Sequence, residues 1–392
     1  MPEVIRNAQA TAASQGIEAA QRVVDMADAI LLLHPSETPF TVLLRKLMKR
    51  EAGNPEFKWL EDEAVPWVDQ VTAAATNTAT SLSVANGAYF APNDLVKVFR
   101  TGEVMRVTAV SGNTITVTRG WAGTPAALNA NDYLFIIATA YKEGAGLGDS
   151  RATKKVVKTN YTEIFRTPVK LTKTLEASKL YGVSSERAYQ RAKAGREHNM
   201  AIERAFWFGA KKEDLSGTEP IRSTGGVFEW IVSNKTTLTS ESAFTKAEFD
   251  KFLETVFFYG SDERWVFASP LMVRLINGFA DNAIRVLQME VGRSGDRTYG
   301  IQISRYQSAH GVVNIVNTRL FKDYRTSGDV AGKVLVAVDI DNEAAAYRTL
   351  RPTKLYTDIQ APSDDAYVDE YLTECGLQFG QEKRHGILEI NG

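Results

Sequence analysis

Alternating apolar and polar positions mark a β-rich segment in the first half of the chain. The runs EVMRVTAV and TITVTRGW alternate on either side of SGN, where Gly112 and Asn113 both tolerate a positive φ. This pattern predicts a β-hairpin. Short alternating runs before it, and NDYLFIIATA after it, predict further strands separated by turn residues. We therefore expect a small antiparallel β module over residues 81–140.

Helical periodicity is strongest over residues 184–208, SSERAYQRAKAGREHNMAIERAFWF. Ser184 is a suitable N-cap, and the spacing predicts one narrow face of small and apolar residues that packs against a sheet. That face would comprise Ala188, Ala192, Gly195, Asn199, Ile202 and Phe206. The opposite face is predicted to be basic and to carry Arg187, Arg191, Arg196 and Arg204.

Helices are also predicted before the β module, and a mixed α+β pattern after it. An apolar stripe over 17–33 predicts a helix that ends before Pro35 and Pro39, and TVLLRKLMKREAGN predicts a second, short helix. From about residue 225, helical segments alternate with strands such as RWVFAS, and Ser269 with Pro270 begins a further helix. The end of the chain predicts two strands around a turn near 382–384.

An extended segment, EFKWLEDEAVPWV, lies between the short helix and the β module. It carries Trp59 and Trp67, two large apolar side chains in a stretch that has no core of its own. We therefore expect this segment to act as an arm whose tryptophans are covered by a partner surface.

The distribution of charge along the chain is uneven. The 392 residues have a net charge of -1, yet residues 151–212 carry 15 Lys or Arg against 5 Glu. The rest of the chain carries 31 basic against 42 acidic residues. Blocks of opposite sign favour head-to-tail contact between copies or a basic face toward a polyanion, and a solvated helix face is the simpler alternative.

The sequence contains no pattern that predicts catalysis, a cofactor or a metal. The four histidines are widely spaced, which argues against a zinc site or a histidine-activated nucleophile. GAGLG precedes a β-like segment rather than a helix, and DIDNEAAAYRTL lacks the glycine and final carboxylate of a calcium loop. Cys375 is interpreted as a buried apolar residue, and no run reaches the length of a membrane span.

Several stretches resemble the major capsid proteins of tailed bacteriophages, which share the Hong Kong 97 (HK97) fold. ADAILLLHPSETPFTVLLRK, which includes Phe40, and FKWLEDEAVP are similar to the N-terminal arm and the first E-loop strand of one branch of that family. GEVMRVTAVSGNTITVTRGWAGT resembles the β module that several members of this branch carry. RWVFASPLMVRLI and the closing EYLTECGLQFGQEKRHGILEI also resemble family elements, in the family's order.

The resemblance implies an α+β fold of the HK97-like phage capsid type with a small inserted antiparallel β module. It implies an N-terminal arm over 1–55, an E-loop over 56–170 that includes the module at 81–140, and a peripheral domain over 171–224 with a spine helix at about 184–208. An axial domain over 225–345 and a return to the peripheral domain over 346–392 would follow. The protein would be a structural one and not an enzyme, self-assembling into pentamers and hexamers of an icosahedral head shell around double-stranded DNA.

The resemblance also implies partners and interface residues. Besides copies of itself, the protein would meet packaged DNA non-specifically, a portal, a decoration protein and no membrane. Because the predicted arm starts within about 17 residues of Met1, a separate scaffolding protein is expected. The chain would belong to the virion capsid and be assembled in the host cytoplasm. The candidate assembly residues are Phe40, Trp59, Trp67, Arg187, Arg191, Arg196 and Arg204.

Other interpretations stay open at this point. A nucleic-acid-binding protein could use the basic stretch 151–212, and a hydrolase could have a site without a recognisable motif. The β module could strengthen the E-loop or bind a host glycan. The arginines of the long helix could pair with glutamates of neighbouring subunits or with packaged DNA.

Overall fold

A computed structural model describes residues 38–144, 146, 151–178, 185–283, 287–288, 303–321, 332–341 and 344–391. The predicted helix over 17–33 lies outside these residues. The fold is a mixed α+β arrangement, as expected from the sequence. The chain divides into two compact units: unit 1 comprises Met1–Trp59 and Lys158–Gly392, and unit 2 comprises Leu60–Val157.

The helices and strands are as follows. The helices are α1 (Pro39–Leu47), α2 (Lys173–Ala177), α3 (Glu186–Phe208), α4 (Val227–Trp230), α5 (Lys246–Phe257) and α6 (Pro270–Ala283). The strands are β1 (Lys49–Glu51), β2 (Glu56–Glu61), β3 (Val68–Gln70), β4 (Ser81–Ser83), β5 (Asp94–Val98), β6 (Val104–Ser111), β7 (Thr114–Ala122), β8 (Tyr133–Thr139), β9 (Val156–Tyr161), β10 (Glu163–Thr172), β11 (Lys212–Asp214), β12 (Ile221–Ser223), β13 (Lys235–Leu238), β14 (Glu263–Ala268), β15 (Leu287–Gln288), β16 (Ile303–Gln307), β17 (Val312–Asn317), β18 (Val334–Val338), β19 (Ala345–Tyr356), β20 (Ala366–Phe379) and β21 (Gly386–Ile390).

The larger sheet of unit 1 has seven strands in the order β13-β21-β18-β14-β17-β16-β15. It is mixed, because β14 runs parallel to β17 and antiparallel to β18. Strand β18 is buried at all five positions, as expected for a strand covered on both faces. Phe249, Phe252 and Leu253 of α5 and Met272 of α6 pack into the same apolar cluster as this sheet. Ser269 caps α6 as predicted, since its Oγ accepts a hydrogen bond from the Met272 N–H at 3.3 Å.

The second sheet of unit 1 has four strands in the order β1-β19-β20-β10. Strand β1 is parallel to β19, and the other pairs are antiparallel. Helix α3 packs on this sheet against β10 and β20, and α1 packs against β19 and α3. The predicted closing strands are confirmed as β20 and β21, joined by a turn at Glu382–Arg384.

Unit 2 contains a six-stranded antiparallel sheet in the order β3-β8-β5-β6-β7-β4. The predicted hairpin is β6 and β7, and Gly112 in its turn has a φ of 57°. The sheet also includes β3, which precedes residue 81 and pairs with β8. Its own apolar core includes Leu82, Val96, Met105, Ile115 and Leu134. This β module therefore has the packing expected of an independent folding unit.

Two sequence predictions need correction. Helix α3 does not pack through Ala188 and Ala192, which are exposed; its buried positions include Ala194, His198, Ile202 and Phe206. The second half of the predicted face is confirmed, since Ile202 and Phe206 are buried, whereas the first turns face the sheet with Arg187 and Arg191. Its N-cap is Ser185, whose Oγ accepts the Ala188 N–H at 3.2 Å, whereas Ser184 lies outside the described residues.

The second correction concerns the short N-terminal helix. It begins at Pro39 and ends at Leu47, and the following residues form β1 rather than continuing the helix. Both elements fall within 1–55, the predicted N-terminal arm. Phe40, Leu43 and Leu44 are fully buried in the core of unit 1. At least residues 39–51 are therefore part of the subunit's own fold.

Candidate assembly surfaces

A buried carboxylate holds the N-terminus of α1. Glu203 of α3 is fully buried, and its two oxygens accept the backbone N–H groups of Phe40 at 3.1 Å and Thr41 at 2.8 Å. The indole N–H of Trp207 also donates to Oε1, at 3.1 Å. The first-turn N–H groups of a helix have no partner within it and favour a negative charge. Burial raises the pKa of Glu203, and the hydrogen bonds oppose that shift.

The predicted assembly residue Phe40 lies in the core of its own chain. Its ring centroid is 4.5 Å from that of Trp207 and 5.2 Å from that of Phe267, and the side chain is fully buried. Phe40 therefore fixes α1 against α3 and β14. Within the subunit it presents no surface to another copy.

Two of the four predicted arginines bind a single buried carboxylate. Asp369 of β20 is fully buried and accepts Nε and Nη2 of Arg187 at 2.9 and 2.6 Å and Nε of Arg191 at 2.7 Å. Arg187 also donates to Asp358 at 2.6 Å and stacks on the ring of Tyr367. Burial opposes ionisation of Asp369, but the arginine hydrogen bonds outweigh it and hold its pKa well below the usual range.

The other two arginines have a different environment. Arg196 and Arg204 are exposed on α3, whereas Arg187 and Arg191 are partly buried between the helix and β20. The structure thus divides the predicted basic face into an internal pair that clamps α3 to the sheet and an external pair that is accessible. Only Arg196 and Arg204 are placed to meet another molecule without first losing an ion pair within the subunit.

Trp59 and Trp67 also differ from each other. Trp59 is half-buried in unit 1, with its ring centroid 5.4 Å from that of Trp230 and 6.1 Å from that of Phe57. Trp67 belongs to unit 2 and is 62% exposed, although its ring contacts Phe135 at a centroid distance of 5.7 Å. The prediction of an uncovered aromatic surface therefore applies more strongly to Trp67.

A buried polar network organises one end of the seven-stranded sheet. Arg264 and Asp339 are both fully buried and form an ion pair at 3.2 Å. The backbone N–H of Asp339 donates to Nδ1 of His385 at 3.1 Å, and Nε2 of His385 lies 3.1 Å from the carbonyl oxygen of Gly380. His385 is therefore neutral, with its proton on Nε2. Burial lowers its pKa to about 3.

Sequence reasoning missed Glu203 and Asp369, although each left a weak signal. Glu203 is a lone carboxylate in the apolar run MAIERAFWF, one turn before Trp207. Asp369 lies in AYVDEY, where two adjacent acids stand within a strand, β20. Neither pattern indicates which residues bind the carboxylate. Phe40 is 163 residues from Glu203 in sequence, and Arg187 is 182 residues from Asp369.

The described residues show no grouped metal ligands and no reactive thiol. Among them, no three His, Cys, Asp or Glu side chains are grouped so that they could hold a metal ion. Cys375 is fully buried, and burial raises its thiol pKa to about 12, which disfavours the reactive thiolate. No helix in the described part of the chain is long and apolar enough to cross a membrane.

Comparison with known proteins identifies the class to which this architecture belongs. The family described as SU10 major capsid protein matches residues 6–391. The major capsid protein of Pseudomonas phage PaMx41 is 27% identical over 298 residues, which cover 73% of this chain and 69% of that protein.

Solved structures show the same fold at much lower identity. The capsid protein of a native GTA particle superimposes with a TM-score of 0.51 at 10% identity and covers 98% of this chain and 99% of that one. The capsid protein of an empty GTA particle gives a TM-score of 0.50 at 9% identity, covering 95% and 97%. The fold is that of HK97-like capsid subunits, which confirms the predicted fold class.

This chain therefore belongs to the SU10 major capsid protein family. It is a phage major capsid protein and a component of the virion capsid. Membership of this structural family does not support the alternative of a nucleic-acid-binding protein acting through residues 151–212.

Proposed function

We propose that the chain assembles into pentamers and hexamers that close into an icosahedral head shell around double-stranded phage DNA. The observation that supports this most directly is the family match over nearly the whole chain, 6–391. The related GTA capsid was computed with C5 symmetry, as a shell with five-fold vertices allows. A closed shell needs heterologous contacts around each ring and further contacts between rings.

The proposed division of labour follows the HK97-like plan. Residues 1–55 supply the arm, with 39–51 anchoring it in the subunit, and 56–170 form the E-loop around the β module. Residues 171–224 and 346–392 form the peripheral domain, whose spine is α3. Residues 225–345 form the axial domain, built largely on the seven-stranded sheet, to which the last segment of the chain adds β21 between β13 and β18. The compactness of unit 2, Leu60–Val157, within the proposed E-loop supports this plan.

The surfaces proposed for assembly are those that the subunit leaves uncovered. Trp67 in unit 2 is a predominantly exposed aromatic side chain, and Trp59 is half-buried. Trp67 lies beside Phe135 and so belongs to a contiguous apolar surface, and such exposed surfaces mark contact sites. Arg196 and Arg204 are proposed to face glutamates of neighbouring subunits, with weak, sequence-independent contact to DNA.

Further partners are proposed from the same family plan. A separate scaffolding protein would guide closure, a portal would replace one vertex, and a decoration protein could bind the finished shell. Assembly would take place in the host cytoplasm. The protein's role in this scheme is structural and requires no catalytic site.

The test is the mass and shape of the expressed protein, alone and with its phage's scaffolding protein. The expected result is closed particles of megadalton mass with five-fold vertices, seen by sedimentation and cryo-electron microscopy. Small oligomers under all these conditions would contradict the proposal. A variant lacking residues 1–37, which keeps α1, should remain folded but form no normal shells. If this variant forms normal shells, the proposed role of the arm is wrong.

A further inference from the structure

The outer face of the sheet in unit 2 carries a group of aromatic side chains, here called the aromatic patch: Trp67, Phe99, Tyr133 and Phe135. The rings of the first three lie 5.7, 4.5 and 6.4 Å from the ring of Phe135, measured between centroids. Trp67, Phe99 and Tyr133 are 62%, 64% and 54% exposed. The core of the module lies on the opposite face, so the patch is not required to fill it.

The charged side chains of the sheet also differ between its two faces, because its carboxylates are buried. All four carboxylates within residues 68–139, those of Asp69, Asp94, Glu103 and Asp132, are buried. Arg119 pairs with Glu103 at 2.7 Å and Arg100 with Asp132 at 2.6 Å, while Asp94 pairs with Arg151.

The remaining two cations of the sheet lie on aromatic rings. Nζ of Lys97 is 5.3 Å from the ring centroid of Phe99, and the guanidinium of Arg106 is 5.4 Å from that of Trp121. The outer face is therefore both aromatic and positively charged. Two such faces could not pair with each other without opposing like charges. The complementary surface must be apolar at its centre and neutral or acidic at its edge.

The size of the patch indicates what kind of partner covers it. An aromatic side chain offers about 200 Å² when fully free, so three that are more than half exposed present about 350 Å². A stable pair of proteins in solution buries about 800 Å² on each partner. The patch is too small for an independent complex, but sufficient as one contact among several in an assembly of many copies.

We infer that the aromatic patch docks onto a second copy of this chain, through a heterologous contact that forms in the assembled shell. This inference rests on the proposed function, because it requires copies that are already held together elsewhere. Phe135 anchors the cluster and the three exposed rings provide the contact, while Lys97 and Arg106 select an acidic rim. Residues outside 151–212 carry 42 acidic against 31 basic side chains, an excess of acid from which a second copy can present such a rim.

Hydroxyl-radical footprinting tests the inference, because it measures the exposure of each ring by mass spectrometry. Wild-type subunits are compared before assembly, in particles assembled from purified protein and in virions. We expect oxidation of Trp67, Phe99 and Tyr133 to fall at least five-fold in both kinds of particle. The double variant Phe99→Ser, Tyr133→Ser should stay folded, with particle yield reduced at least ten-fold, and Phe99→Tyr should assemble normally.

The outcomes separate this inference from the proposed function. If the wild type forms no particles under any condition, the proposed function fails and the inference fails with it. If particles form but the three rings are oxidised as in free subunits, or the double variant assembles normally, only the inference is overturned. Protection confined to virions would assign the patch to a different protein and would also overturn it.

Discussion

Acidification should destabilise unit 1 through His385, and the structure allows the size of the effect to be worked out. The folded-state pKa of His385 is about 3, against 6.5 for an unperturbed histidine. Below pH 6.5, His385 therefore binds a proton in the unfolded chain but stays neutral in the folded chain. The contribution of neutral His385 to the unfolding free energy is complete above pH 6.5 and is lost as the pH falls toward 3.

The expected loss between pH 7.5 and pH 5.0 is about 2 kcal/mol of unfolding free energy from this side chain alone. At pH 5.0 the figure depends almost entirely on the unfolded-state pKa, so any folded-state value below about 4 yields the same result. The groups that face His385 are Asp339, Arg264 and Arg384, and their electrostatic effects are smaller than that of burial.

The perturbation is His385→Gln, which can accept from the Asp339 N–H and donate to the Gly380 carbonyl without titrating. Unfolding of unassembled subunits is followed in urea by pulsed hydrogen exchange in peptides from β18 and β21, so that unit 1 is measured by itself. Between pH 7.5 and pH 5.0, the unfolding free energy of the wild type should fall by about 2 kcal/mol more than that of this variant.

The matched control is His310→Gln, because His310 is exposed. It should retain the full acid response of the wild type. Equal losses for wild type and His385→Gln would refute the reasoning, as would a reduced loss in the His310→Gln control.

Three further predictions concern subunit stability and assembly. Glu203→Leu leaves three buried N–H donors without an acceptor and should lower the unfolding free energy by about 3 kcal/mol or more in urea titration, whereas Glu197→Leu, exposed on the same helix, should not. Arg191→Glu places a second carboxylate beside a buried one and should cost about 3–5 kcal/mol by the same assay, whereas Arg196→Glu should change only particle yield; loss of DNA retention alone in Arg196→Glu would assign that arginine to the genome. Replacing residues 68–139 with a Gly/Ser linker should leave the urea transition of unit 1 in place and reduce particle yield, and loss of soluble folded protein would contradict the separate core seen in unit 2.

Much of the local structure followed from the order of apolar and polar residues. Alternation on both sides of Gly112 predicted the β6–β7 hairpin, and the helical spacing over 184–208 predicted α3 to within two residues at its start. The Ser269-Pro270 pair located the start of α6. These features depend on neighbours a few residues apart, so the chain's own pattern is sufficient to specify them.

The roles of the charged side chains could not be obtained in this way. Arg187 and Arg191 looked like part of an external basic face, because helical periodicity alone does not reveal that β20 places an aspartate beneath that face. Phe40 looked like part of an arm, because no residue near it in sequence indicates that Glu203 of α3 accepts its N–H. In both cases the partner lies more than 160 residues away.

The sequence by itself determined the α+β class, the β module, the long helix and the resemblance to phage capsid proteins. Only the tertiary structure decided which surfaces are free. A carboxylate removed from water must be paired, so burial of Asp369 and Glu203 draws two arginines and the start of α1 inward. The side chains left outside, Trp67 and Arg196 among them, are those that we propose to contact another molecule.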